Sequence, residues 1–210
     1  MIAMDRPVGL MVKKLSMEND PNSTKGKILD AALDIFSRKG FYNTRLDEIV
    51  DASHTSKGAI YFHFPNKERL FLALVDQFAD LLERRVVDAI QTEEKGINRV
   101  RMAMVTILDT FGRYRRPAKI LLVQAAGLGS TFEEKRNEIN DRFAFLIQTY
   151  LDESVEIGDI EPVDTEVVSI AWMGAIYNVI ICWVNTGEPE PERIMNSLLP
   201  VLLKSVGYEQ

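Results

Sequence analysis

The stretch SKGAIYFHFPNKERLF, residues 56–71, constrains this chain more than any other. A short helix opens on a serine, carries a glycine in its first turn and aromatic residues at 61, 62 and 64, stops at Pro65 and restarts on Asn-Lys-Glu. The residue before a proline is biased away from helical backbone, so Pro65 ends one helix, and Asn66 suits the cap of the next. Ile60 and Phe64 share a face at i and i+4, which leaves Ser56, Lys57 and Tyr61 on the opposite side. Gly58 costs roughly 1 kcal/mol of helix propensity relative to alanine. That cost fits a position where backbone must approach another surface closely.

The residues before this stretch supply its support. From Ser23 or Thr24, either able to cap, Leu29, Ala32, Leu33 and Phe36 recur at i, i+3, i+4 and i+7, and Gly40 stands where a helix C-terminus is expected. Thr44 then precedes Leu46, Ile49 and Val50, and predicts a short second helix capped by Thr44 with Asp47 as its reaching carboxylate. Two short helices across a tight turn, buttressed by a first and locked by a fourth, make a helix-turn-helix unit. Thr44 and Arg45 at the start of the second helix and Lys67 at the start of the fourth would meet phosphates. Ser56, Lys57, Gly58, Ala59, Tyr61 and His63 would face DNA from the third.

Residues 27–71, KILDAALDIFSRKGFYNTRLDEIVDASHTSKGAIYFHFPNKERLF, resemble the N-terminal DNA-binding domain of the TetR family of bacterial regulators. The resemblance rests on the spaced Ile-Leu, Ala-Ala, Phe and Gly of the first helix, on Thr44 and Ile49, on SKGAIYFHF, and on NKE with Leu70. It implies an all-helical homodimer with a larger C-terminal domain that binds a small ligand and whose last two helices form the dimer interface. Ser53, His54 and Thr55 depart from the usual turn residues. The middle position calls for φ > 0, which histidine tolerates better than most residues. Arg45 replaces a commoner small hydroxyl residue and offers an added phosphate or guanine contact.

Beyond residue 72 no motif is readable, only helical spacing. Val100, Met104, Ile107, Leu108 and Phe111 form one stripe, and Ile139, Phe143, Leu146, Ile147, Tyr150 and Leu151 another. Pro117 predicts the first turn of a helix running to about residue 128, after the polar break RYRRP. Arg113, Arg115 and Arg116 in that break form an alternative holder for the phosphates of an acyl-coenzyme-type ligand. Residues 164–185 are apolar almost all round, so that helix must be covered on more than one side. These faces nominate an effector site of Met104, Leu108, Phe111, Phe143, Ile147, Trp172, Met173 and Tyr177, with Gln124, Gln148 and Asn178 as polar anchors. They nominate a dimer interface of Ile180, Trp183, Ile194, Leu198, Val201, Leu202 and Ser205.

The expected architecture is therefore all-α. Residues 1–22 form an arm, 23–72 the helix-turn-helix domain, and 73–210 the effector-binding and dimerisation domain. Charge divides along the same line: residues 1–72 hold 11 Lys/Arg against 9 Asp/Glu, and the remainder holds 14 against 22. Phosphate contact depends on local clustering and not on the overall charge of −6. Both histidines, His54 and His63, lie in the helix-turn-helix region and the one cysteine, Cys182, in an apolar helix. No catalytic pair, metal set or cofactor motif is formed by such residues. The first 20 residues lack the apolar core of a signal peptide. A cytoplasmic regulator released from a palindromic operator by an apolar or amphipathic effector is the expectation. An architectural DNA-binding protein without an effector is the alternative.

Overall fold

The computed structural model describes residues 23–91, 97–123 and 129–208. Among these residues there is no strand, and nine α-helices follow one another: α1 Thr24–Lys39, α2 Leu46–Ser53, α3 Lys57–His63, α4 Lys67–Gln91, α5 Ile97–Arg113, α6 Arg115–Ala118, α7 Ser130–Glu156, α8 Thr165–Thr186 and α9 Pro191–Lys204. The arm at 1–22 lies outside the described residues.

The chain divides into two compact units. One takes the described residues up to Leu81 together with Arg116–Phe132; the other takes Leu82–Arg115 and the residues from Glu133 onward. In the first, α2 and α3 pack on α1 and on each other. Ile28, Ala32, Phe36, Ile49, Ile60, Leu70 and Phe71 are fully buried there. Phe36 meets Phe71 edge-on at 5.3 Å and stacks on Phe41 at 5.8 Å, and Phe41 meets Phe71 at 5.1 Å. Each such pair adds about 0.5–1.5 kcal/mol to the burial itself.

The caps explain the helix boundaries. Ser23 Oγ accepts from Gly26 N at 3.0 Å, Ser56 Oγ from Ala59 N at 3.1 Å, and Asn66 Oδ1 from Arg69 N at 2.8 Å. The second helix departs from its expected cap. Thr44 donates its hydroxyl back to Gly40 O at 2.8 Å and is buried, so Arg45 takes the cap position and Glu48, not Asp47, reaches back to the Arg45 N–H at 3.2 Å. A threonine hydroxyl that can reach the carbonyl four residues earlier is lost to capping. His54 closes α2 at φ 53°, ψ 38°, the left-handed backbone the turn calls for.

In the second unit α5, α8 and α9 pack on one another. Asp164 caps α8 through Val167 N at 3.1 Å. At 22 residues, α8 is long and apolar enough to cross a membrane by length and composition alone. One side of it, with Ser169, Trp172, Ile180, Trp183 and Val184, is nevertheless buried within the protomer. Arg115 donates to Trp183 O at 3.2 Å and Val184 O at 3.4 Å, placing a cation on the carbonyls that end α8. The helix expected around Pro117 is only the short α6, followed by a π-helical turn over Lys119–Val123. Its expected continuation to residue 128 lies outside the described residues.

Candidate nucleic-acid interface and internal cavity

Of the residues expected to face DNA, α3 and its cap bring Ser56, Lys57, Gly58 and Tyr61 to the surface. Ala59 and His63 are half-buried. A Cβ added to Gly58 would meet nothing nearer than Ser56 Oγ at 3.9 Å. The protein's own packing therefore does not require glycine there. Lys57 Nζ pairs with Asp47 Oδ1 at 2.9 Å, and the pair raises the lysine pKa and lowers that of the carboxyl. Because both partners are exposed, water and salt screen the pair, and an arriving phosphate competes readily with Asp47.

Two expected phosphate contacts change character. Thr44 leaves the set: its hydroxyl serves Gly40, its amide serves Phe41 O, and its carbonyl accepts from Lys67. Lys67 Nζ donates to Phe41 O at 2.8 Å and Thr44 O at 2.9 Å and stands 4.4 Å over the Phe41 ring. Burial pulls its pKa down. An ammonium has three protons, so Lys67 first ties α4 to the loop between α1 and α2 and keeps one donor for another group. Arg45 is exposed. Spacing left Tyr42 and Phe62 unassigned, yet they are 64% and 84% exposed.

The second unit holds a partly open cavity of about 120 Å³, close to the ~150 Å³ that holds a benzene ring in an apolar protein interior. Met104, Phe143, Ile147, Trp172 and Met173 line it from α5, α7 and α8, joined by Ala103, Ile107, Leu146 and Ile176. Leu108 and Phe111 are buried elsewhere, and Gln148 and Tyr177 are also absent from the lining. Burial raises the Tyr177 pKa, with Arg136 bonded to its phenol. Asn178 is exposed and bonds Gly174 O at 2.8 Å, and Gln124 lies outside the described residues. The polar side chains that line the cavity are Arg99, Tyr150 and Ser154, not those expected from sequence. Arg99 Nη1 meets Glu153 Oε2 at 3.0 Å and its guanidinium stands 5.6 Å from the Tyr150 ring, while its buried Nε has no hydrogen-bond partner. A buried unsatisfied donor at an apolar cavity is a place for an acceptor oxygen. Arg113 pairs with Asp109 at 2.7 Å and Arg115 holds the end of α8, so two of the three guanidinium groups of the alternative phosphate holder, Arg113, Arg115 and Arg116, are already engaged.

The expected interface residues divide by burial. Ile180, Trp183, Ile194 and Leu202 are 2–6% exposed and pack inside the protomer, which takes them out of a subunit contact. Ser205 accepts the Trp172 indole N–H at 3.0 Å. What faces outward is Val167 (60% exposed), Ile170 (59%) and Val201 (62%), with Leu198 half-buried. Gly174 continues the α8 stripe, with nothing within 4 Å of an added Cβ.

Residues 28–74 match the family model described as bacterial regulatory proteins, tetR family. The fatty acid metabolism regulator protein of Bacillus subtilis (strain 168) is 24% identical over 186 residues, 86% of this chain and 94% of that protein. The fold is shared with a putative TetR-family regulator from Syntrophomonas wolfei (TM-score 0.77, 19% identity, 89% and 96% of the chains). It is shared also with the regulator FadR of Bacillus subtilis bound to stearoyl-CoA (TM-score 0.73, 19% identity, 86% and 98%).

Proposed function

Because the chain belongs to the tetR family of bacterial regulatory proteins, we propose that it is a homodimeric repressor that binds a palindromic operator and releases it when an amphipathic effector fills the cavity. The observation that carries the DNA half is Gly58: a glycine on an exposed line of α3 that costs helix propensity and serves no internal contact. The reading set is Arg45, Ser56, Lys57, Gly58, Ala59, Tyr61 and His63, with the spare Lys67 proton as a phosphate donor, on the helix-turn-helix domain 23–72. The reading contains no catalytic step, and it puts the protein with its operator in the cytoplasm.

The effector half rests on an apolar cavity with a single open cationic corner. A hydrocarbon chain suits the lining of Met104, Phe143, Ile147 and Trp172, and an ester, thioester or carboxylate oxygen suits Arg99. An acyl-CoA of the kind bound by the B. subtilis regulator has both parts. Release requires only that the effector prefer one of two dimer conformations, because a ligand that binds both equally shifts nothing. The two reading helices must stand about 34–36 Å apart to enter successive major grooves.

Selection from a random DNA pool, with sizing by light scattering, tests the proposal. A dimer and an enriched palindrome are expected; a monomer or an unenriched pool contradicts it. On that operator, Gly58→Ala is expected to raise melting stability by up to ~1 kcal/mol. The same methyl group should weaken operator binding roughly tenfold or more, since it holds the helix away from the base edges. Wild-type affinity in Gly58→Ala would remove the close-approach role.

A further inference from the structure

We infer that Phe62 is a base-reading side chain that seats on the C5-methyl group of a thymine in each half-site, an inference that rests on the operator-binding reading above. Phe62 is 84% exposed, the largest exposure among the big apolar side chains described. At 100° per residue it stands about 200° around α3 from Ile60, directly away from the core. Gly58 falls on nearly the same line, about 6 Å nearer the helix start, or roughly two base-pair steps.

The chemistry of its surroundings selects the partner. The half-exposed Tyr61 precedes the ring in the chain with its polar hydroxyl, and His63 meets the ring edge-on at 5.1 Å. An apolar centre with polar flanks matches a major-groove edge that carries an apolar group among hydrogen-bonding atoms. Thymine is the one base that presents such a group there. A phosphate offers nothing to a phenyl ring. Gly58 lets the backbone sink toward the bases, and the ring four residues on then reaches the groove floor.

The test replaces each thymine of the selected operator by uracil, which removes only the methyl group, and measures affinity by fluorescence anisotropy. Wild-type protein is expected to lose about fourfold at one position per half-site and about 15-fold when both half-sites are changed, the effect of one buried methyl group each. Phe62→Ala should bind the thymine operator more weakly and show no loss at that position, with an unchanged melting temperature because the ring is exposed. Phe62→Leu should keep part of the uracil sensitivity. Phe145→Ala, a control at a 70% exposed phenylalanine on α7, should keep all of it. Equal uracil sensitivity in wild type and Phe62→Ala, or no sensitive thymine in an operator that wild type binds tightly, overturns the inference alone. Failure of wild type to select any operator overturns the operator-binding reading itself.

Discussion

Ile170→Glu is expected to turn the dimer into monomers and to lower operator affinity by on the order of 10²–10⁴, the advantage that linking two half-site contacts provides. The surface in question is the outward stripe of α8, where Val167 and Ile170 expose about three-fifths of their area, and the neighbouring helix α9, where Val201 does the same. Gly174 leaves the stripe open to close approach by another backbone. In a two-fold dimer the same patch meets itself, so one substitution places two like charges in a shared apolar contact. Neither can be hydrated fully, and the cost of an unpaired buried charge is several kcal/mol per ion. Within the protomer little changes, since Ile170 is already exposed. Light scattering and anisotropy on one preparation check this. A variant that stays dimeric would move the interface to another surface.

The second large effect concerns the cavity. Ala103→Phe puts a ring into a space of about 120 Å³ and should leave no room for an acyl chain. The ratio of operator affinities without and with effector is expected to fall from about 5–150 in wild type to about one. Overpacking costs about 1–3 kcal/mol, visible as a lowered melting temperature. Trp172 lines the same space, so its emission should stop responding to added ligand in the variant. If operator release persists at wild-type ligand concentrations, the effector binds elsewhere.

Local rules made the reading head legible. Ser23, Ser56 and Asn66 cap where their neighbours say they should, and His54 takes the left-handed turn that the family resemblance implies. Thr44 was misread because a hydroxyl has a local alternative to capping, and only the fold decides between them. The outward position of Phe62 was available from helical angle alone. It is the sort of apolar residue that pattern reading assigns to a core by default.

The C-terminal half was legible in outline only. Alternation of polar and apolar residues tells which way a helix faces, and α8 has almost none. Val167 and Ile170 therefore could not be told from Ile180 and Trp183, although the first pair faces out and the second in. Arg99 was missed for a different reason. An arginine near a helix start reads as surface, and its buried Nε exists only once Glu153 and Tyr150 of α7 are packed beside it.

The most direct measurement follows operator affinity and tryptophan emission in a single titration with a short-chain acyl-CoA, whose tail matches a cavity of about 120 Å³. Emission from Trp172 should change at the same ligand concentrations that weaken operator binding, with a final loss of about 5- to 150-fold. A change in emission with operator affinity untouched would contradict effector release and favour a DNA-binding protein that no such ligand dislodges.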